Sequence, residues 1–146
     1  MTKSMAGPVF EGIRVGIVST VNREKATARV YFEDREDVVS PELKVLNFNT
    51  LHTKHYWMPE VNQTVICLFA HNEPETGYIL AGVYSEVDKV HEEFLVSEDV
   101  DGVRYPDGSV IKYDSINHKL IIDIKGEVEI RATNDIIING RTIYLN

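Results

Sequence analysis

Apolar and polar positions alternate with a period of two through most of the first 85 residues. RVGIVSTV (Arg14–Val21) and KATARVYF (Lys25–Phe32) are rich in β-branched and aromatic residues, which suit a pleated, half-buried strand. Asn22-Arg23-Glu24 between them supplies a hairpin loop. KVLNF (Lys44–Phe48) predicts a shorter strand, and QTVICLFA (Gln63–Ala70) and TGYILAGVYS (Thr76–Ser85) predict a second strong pair. The intervening EDREDVVSPE (Glu33–Glu42) reads as a charged loop too polar to be buried. No window longer than about ten residues keeps the apolar spacing of a helix. Five short strands predict an all-β domain over residues 1–86, an OB-type barrel with an N-terminal arm.

One strand is apolar on both faces. Val65, Cys67 and Phe69 form one row, and Ile66, Leu68 and Ala70 form the other. A barrel buries only its inner face, so the outer row needs a cover. Either a loop folds over it, or Ile66 and Leu68 belong to a subunit interface.

Residues 87–102 are strongly acidic with few apolar positions and read as a connector, with its local structure undecided between helical and extended. Beyond it the rhythm changes. Leu120, Val128 and Ile136 align at steps of eight residues, as do Ile122, Ile130 and Ile138, then Ile124, Ala132 and Gly140. Asp123, Lys125, Glu127, Glu129, Arg131 and Asn139 occupy the opposite parity. Alternation inside a fixed longer repeat marks stacked β structure. A single ribbon of this kind cannot bury its apolar stripe, and its open edges invite aggregation. Three copies wound about one axis bury the stripe and pair the edges. Each buried Ile or Val contributes about 1.5–3 kcal/mol, so three chains gain gross tens of kcal/mol against the cost of ordering them. The expected axial core is Leu120, Ile122, Ile124, Val128, Ile130, Ile136 and Ile138, within an intertwined triple-stranded β-helix over residues 103–146.

Charge narrows the choice of partner. Fifteen Lys and Arg against 23 Asp and Glu give a formal net charge of −8, which argues against a polyanionic ligand. Residues 1–86 carry 8 basic and 11 acidic residues, and residues 87–146 carry 7 and 12, so the shorter part is the more acidic. The single cysteine, Cys67, excludes an intrachain disulfide and fits a reducing compartment. No apolar run approaches a bilayer span, and MTKSMAGPVFEGIRVG lacks the apolar centre of a signal peptide. A soluble protein made in the cytoplasm is expected.

Several blocks occur in a recognisable order: RVGIVSTV, then YWMPEVNQTVICLFA (Tyr56–Ala70), GYILAGVYS (Gly77–Ser85), DGVRYPDGSVIKYDSINHKLIIDIKG (Asp101–Gly126) and GEVEIRATNDIIING. Through them, over about residues 12–146, the chain resembles the phage baseplate assembly protein V family, the central spikes of contractile tails, related to type VI secretion spike proteins. The resemblance implies a structural protein of the virion tail baseplate, made in the host cytoplasm and assembled as a homotrimer. It would dock on the trimeric baseplate hub and make transient contact with the host outer envelope as it pierces it.

Two positions depart from the family pattern. Asn62 stands where a Gly precedes the Val65 strand, and Asn also tolerates positive φ. Relatives often end in a His-x-His pair that holds iron at the needle tip, whereas this sequence ends RTIYLN with no His after His118. The expectation is a metal-free spike end covered by a separate tip protein.

Other chemistry is thinly supplied. His52 and His55 with Cys67 and His71 make a weak zinc set, because a second close pair is missing. His118 reads as a solvent-facing turn residue. Tyr56 and Trp57 resemble a base-stacking platform but lack interleaved cations. The acidic clusters lack the order of a calcium loop, and no nucleophile elbow, metalloprotease helix or phosphate loop occurs. No catalytic residue, metal or cofactor is expected, and no nucleic-acid partner. The alternative is an OB-fold binding module for single-stranded nucleic acid or oligosaccharide.

Overall fold

The computed structural model describes residues 10–71, 73 and 75–146. Contacts divide the chain between Lys89 and Val90 into two compact units.

The first unit contains β1 (Gly12–Asn22), β2 (Thr27–Phe32), β3 (Val38–Val39), β4 (Leu43–Val45), β5 (Thr64–Phe69) and β6 (Gly77–Gly82). β1 is long enough to serve two partners. Its first half pairs with β5, from Gly12 opposite Phe69 to Ile17 opposite Thr64, and its second half pairs with β2 as far as Asn22 opposite Thr27. A register shift between Val18 and Thr20 bends the strand where it passes from one partner to the other. β5 pairs antiparallel with β6, β6 runs parallel to β4, and β4 pairs with β2. Strands β1, β2, β4, β6 and β5 thus close into a five-stranded barrel of OB type.

Alternation fills the barrel as anticipated. Val18, Val30, Phe32, Leu43, Val65, Cys67 and Ile79 are fully buried inside it. Phe10, Phe32 and Phe69 gather with ring centroids 5.2–5.9 Å apart, in the range favoured for aromatic pairs. Gly16 is required by close packing, because a Cβ there would meet Val30 Cγ1 at 2.5 Å and the Phe32 ring at 2.7 Å. Asn62 takes φ 74° just before β5, the positive value for which Asn is suited.

Two expectations need correction. The charged Glu33–Glu42 stretch is not all loop: Val38 and Val39 pair with Phe32 and Tyr31, and Ser40 is buried. The Ser40 hydroxyl accepts from Val30 N at 3.0 Å, so one small polar side chain satisfies the backbone that the local sequence left unpaired. The strand expected over Lys44–Phe48 ends at Val45. There Asn47 donates to Val45 O and accepts from Trp57 N, turning the chain outward before Phe48.

The second unit contains a meander of β7 (Val100–Arg104), β8 (Val110–Asp114) and β9 (Lys119–Asp123), with β8 central. Tyr105-Pro106-Asp107-Gly108 makes the first turn, closed by Gly108 N donating to Tyr105 O, and Gly108 takes φ 89°. In the second turn the Asp114 carboxylate accepts from Ile116 N and Asn117 N, both at 3.0 Å. His118, exposed, follows at φ 52°. Residues 124–146 form no strand within the chain.

Candidate interaction surfaces

Strand β8 directs alternate residues to opposite sides of its sheet. Val110, Lys112 and Asp114 point one way and are buried. Two residues of the acidic stretch read as a connector, Glu93 and Ser97, lie over this side. Lys112 Nζ donates to Glu93 Oε2 at 2.7 Å and to Glu93 O at 3.2 Å, and Ser97 Oγ donates to Asp114 Oδ1 at 2.9 Å. The Lys112 ammonium lowers the Glu93 pKa, mainly through that hydrogen bond. Asp114 also accepts from the Asn117 side chain at 2.8 Å. With four donors, foremost those of Asn117, its pKa falls to about 2.

The other side of the same sheet is apolar and open. Ile111 lies between Val103 on β7 and Ile122 on β9, and Tyr113 lies beside Leu120. All five are exposed. The second unit therefore covers the polar face of its sheet and presents the apolar one, the reverse of the usual arrangement for a half-buried sheet. Of the residues expected in an axial core, Leu120 and Ile122 share this face with Val103, Ile111 and Tyr113. Ile124 is half-buried, and Val128, Ile130, Ile136 and Ile138 lie exposed in the segment beyond β9. Glu129 and Arg131, of the opposite parity, form an ion pair. Val103, Ile111 and Tyr113 were not singled out from the sequence, although the alternation Val110–Asp114 carries the signal.

The barrel carries a second apolar face outside β1, β5 and β6. Val15 stands opposite Ile66, and Leu68 stands between Ile13 and Tyr78. Ile66 and Leu68 are half-buried, while Ile13 and Val15 remain exposed. Among the described residues no loop covers Ile13 or Val15. Residues Ser85–Asp88 wall one end of this face, bounding a groove of about 580 Å³ with Val15, Ile17 and Thr64 on its floor. Glu33, Asp34, Glu86 and Asp88 line its rim, and Asp34 also accepts from Arg14 at 3.1 Å.

A third feature is the loop between β4 and β5. Its base is tied down twice: Trp57 Nε1 donates to Leu46 O at 2.6 Å, and Tyr56 OH donates to Arg23 O at 3.1 Å. The Arg23 guanidinium also sits 5.4 Å from the centre of the Tyr56 ring. Both aromatics considered as a stacking platform are thus engaged within their own chain. Above them a bridge between Thr50 and Lys54 forms a small finger. His55 is held by Asn49 and touches the Phe48 ring edge-on. Phe48, on the near side of the bridge, is 95% exposed, and Leu51, beyond it, is 75% exposed. Among the described residues no three His, Cys, Asp or Glu side chains converge as a metal site, and no helix is long and apolar enough to cross a membrane. Cys67 lies inside the barrel, where burial pushes its thiol pKa to about 12.

A closed five-stranded barrel, shared first strand and parallel closure define an OB-type domain joined to a β meander. Residues 14–84 match the family model of the type VI secretion system/phage-baseplate injector OB domain. Through this barrel the chain is similar to the phage baseplate V and spike family. It is also similar to the spike protein of Escherichia phage P2, with 28% identity over 102 residues. That likeness covers 70% of this chain and 46% of the P2 protein, so the chain spans about half the length of this relative.

Proposed function

We propose that the chain is a non-enzymatic structural component of a phage-type tail baseplate, acting as its central spike in a homotrimer. The observation that carries the reading is the inverted sheet of the second unit. Five large apolar residues face outward on β7–β9, and the same alternation continues through Val128, Ile130, Ile136 and Ile138 without a strand partner in the chain. Burying the five-residue face would contribute on the order of 10 kcal/mol per chain. Three copies wound into a triple-stranded β-helix would bury it and complete the free strand edges.

Such a needle suits a mechanical task, because cross-strand hydrogen bonds around a dry, interdigitated core resist compression. The barrel would dock on the trimeric hub, and sheath contraction would drive the spike into the target envelope. The binding-module alternative is weaker, since Tyr56 and Trp57 are occupied and the net charge is −8. Native mass spectrometry tests the reading. The expected species is a trimer of the 16.6 kDa chain, and a stable monomer at micromolar concentration would overturn it.

A further inference from the structure

The barrel displays two apolar surfaces of opposite electrostatic character, and they lie toward opposite ends of β1. The finger holding Phe48 and Leu51 is anchored through Tyr56 to Arg23, just past Asn22. The Ile13–Val15–Ile66–Leu68 face lies at the Gly12 end. Within one chain the two surfaces are not joined, because Phe48 and Leu51 on the finger and Ile13 and Val15 on the face are all exposed.

Charge makes the two surfaces complementary. No Asp or Glu occurs between Glu42 and Glu60, in a chain where acids outnumber bases 23 to 15. The finger instead carries His52, Lys54 and His55, all exposed. At Val15 the receiving face borders the groove lined by Glu33, Asp34 and Glu86, where Asp34 also holds Arg14. An apolar finger beside a cation meets an apolar floor beside carboxylates, the pattern that gives an interface both burial and register.

We propose that the β4–β5 finger of one copy seats Phe48 and Leu51 on the Ile13–Val15–Ile66–Leu68 face of the next, with Lys54 over the carboxylate rim. The contact joins two different patches, so it is heterologous, and a three-fold rotation closes it into a ring with every finger and every face occupied. The finger is stiffened before it binds, by the Trp57 and Tyr56 anchors and the Thr50–Lys54 bridge, which lowers the ordering cost of docking. This inference rests on the trimeric spike reading and adds to it a barrel-to-barrel contact independent of residues 103–146.

Zero-length carbodiimide coupling of a mixture of ¹⁴N and ¹⁵N chains, purified together and refolded, tests it. The expected product is an amide between Lys54 and Glu33, Asp34 or Glu86 containing one light and one heavy peptide. Phe48→Ser, at a side chain already in solvent, should cut its yield roughly tenfold or more, as loss of an interface anchor does. Native mass spectrometry of the same sample reads the assembly separately. A trimer whose Lys54 couples only within its own chain, or to carboxylates elsewhere, overturns the finger contact and leaves the spike reading standing. A yield unchanged by Phe48→Ser also overturns it. A monomer overturns both.

Discussion

Lys112 and Ile111 are consecutive on β8, yet one is sealed beneath Glu93 with its ammonium 2.7 Å from the carboxylate while the other faces solvent between Val103 and Ile122. A strand of alternating residues always separates neighbours in this way. Here the separation places the charge inside and the hydrocarbon outside.

Glu93→Ala removes one of the two acceptors of a nearly buried ammonium and should loosen the segment over β8. Faster amide exchange across residues 92–98 is expected by mass spectrometry. Asp123→Ala, which removes the exposed partner of Lys125, should leave that exchange unchanged.

Acid should weaken the second unit in a defined window. The folded-state pKa of Asp114 is about 2, below its ordinary 3.8, so its carboxylate favours the folded state. That contribution is complete above pH 3.8 and is lost as pH falls toward 2. Glu93 and Asp107, also lowered, act in the same sense. Urea midpoints measured from pH 5 to 2 should fall, and Asp114→Asn should flatten part of the fall.

Gly16→Ala should destabilise the barrel by about 1–3 kcal/mol, the usual cost of overpacking, because the added methyl meets Val30 and Phe32. Urea denaturation of the variant beside the parent protein measures the cost.

Assembly should depend on the parity of the substituted position. Ile130→Glu is expected to abolish the trimer by crowding three desolvated carboxylates, whereas Glu129→Ile should assemble. Ile111→Glu should behave like Ile130→Glu, since Ile111 shares the face of Ile122. Equal trimer yields from Ile130→Glu and Glu129→Ile in native mass spectra would contradict the assigned register.

Cys67 should resist alkylation in the native protein at pH 8, as a thiol with a pKa near 12 is almost wholly protonated there. Labelling should begin only with denaturant, making Cys67 a reporter of barrel opening.

The strong strands of the barrel were legible because β1, β2, β5 and β6 each bury one face, which writes a period of two into the chain. Their closure depends on β1 serving two partners and on the parallel pairing of Lys44 with Tyr78, and long-range pairing leaves no local pattern. Apolar Leu46 and Phe48 extend the strand pattern past Val45, although they have the other parity and the backbone turns out at Asn47. Val38, Val39 and Ser40 were hidden by the charges around them. On the open face of β7–β9, Leu120 and Ile122 stood out through their eight-residue spacing, whereas Val103, Ile111 and Tyr113 lie before that spacing begins.

Closure of the barrel also divides the ways in which copies of the chain can meet. A ring of five strands spends most of its backbone donors and acceptors on itself, apart from β3 and short stretches such as Gly12–Gly16 and Leu80–Gly82 that are paired on one side only. A neighbour therefore grips the barrel chiefly by its side chains. The meander keeps two unfinished borders, along β7 and β9, where a neighbour can add main chain to main chain. The first kind of contact can be released and remade piecewise. The second, once threaded, comes apart only by unzipping a strand.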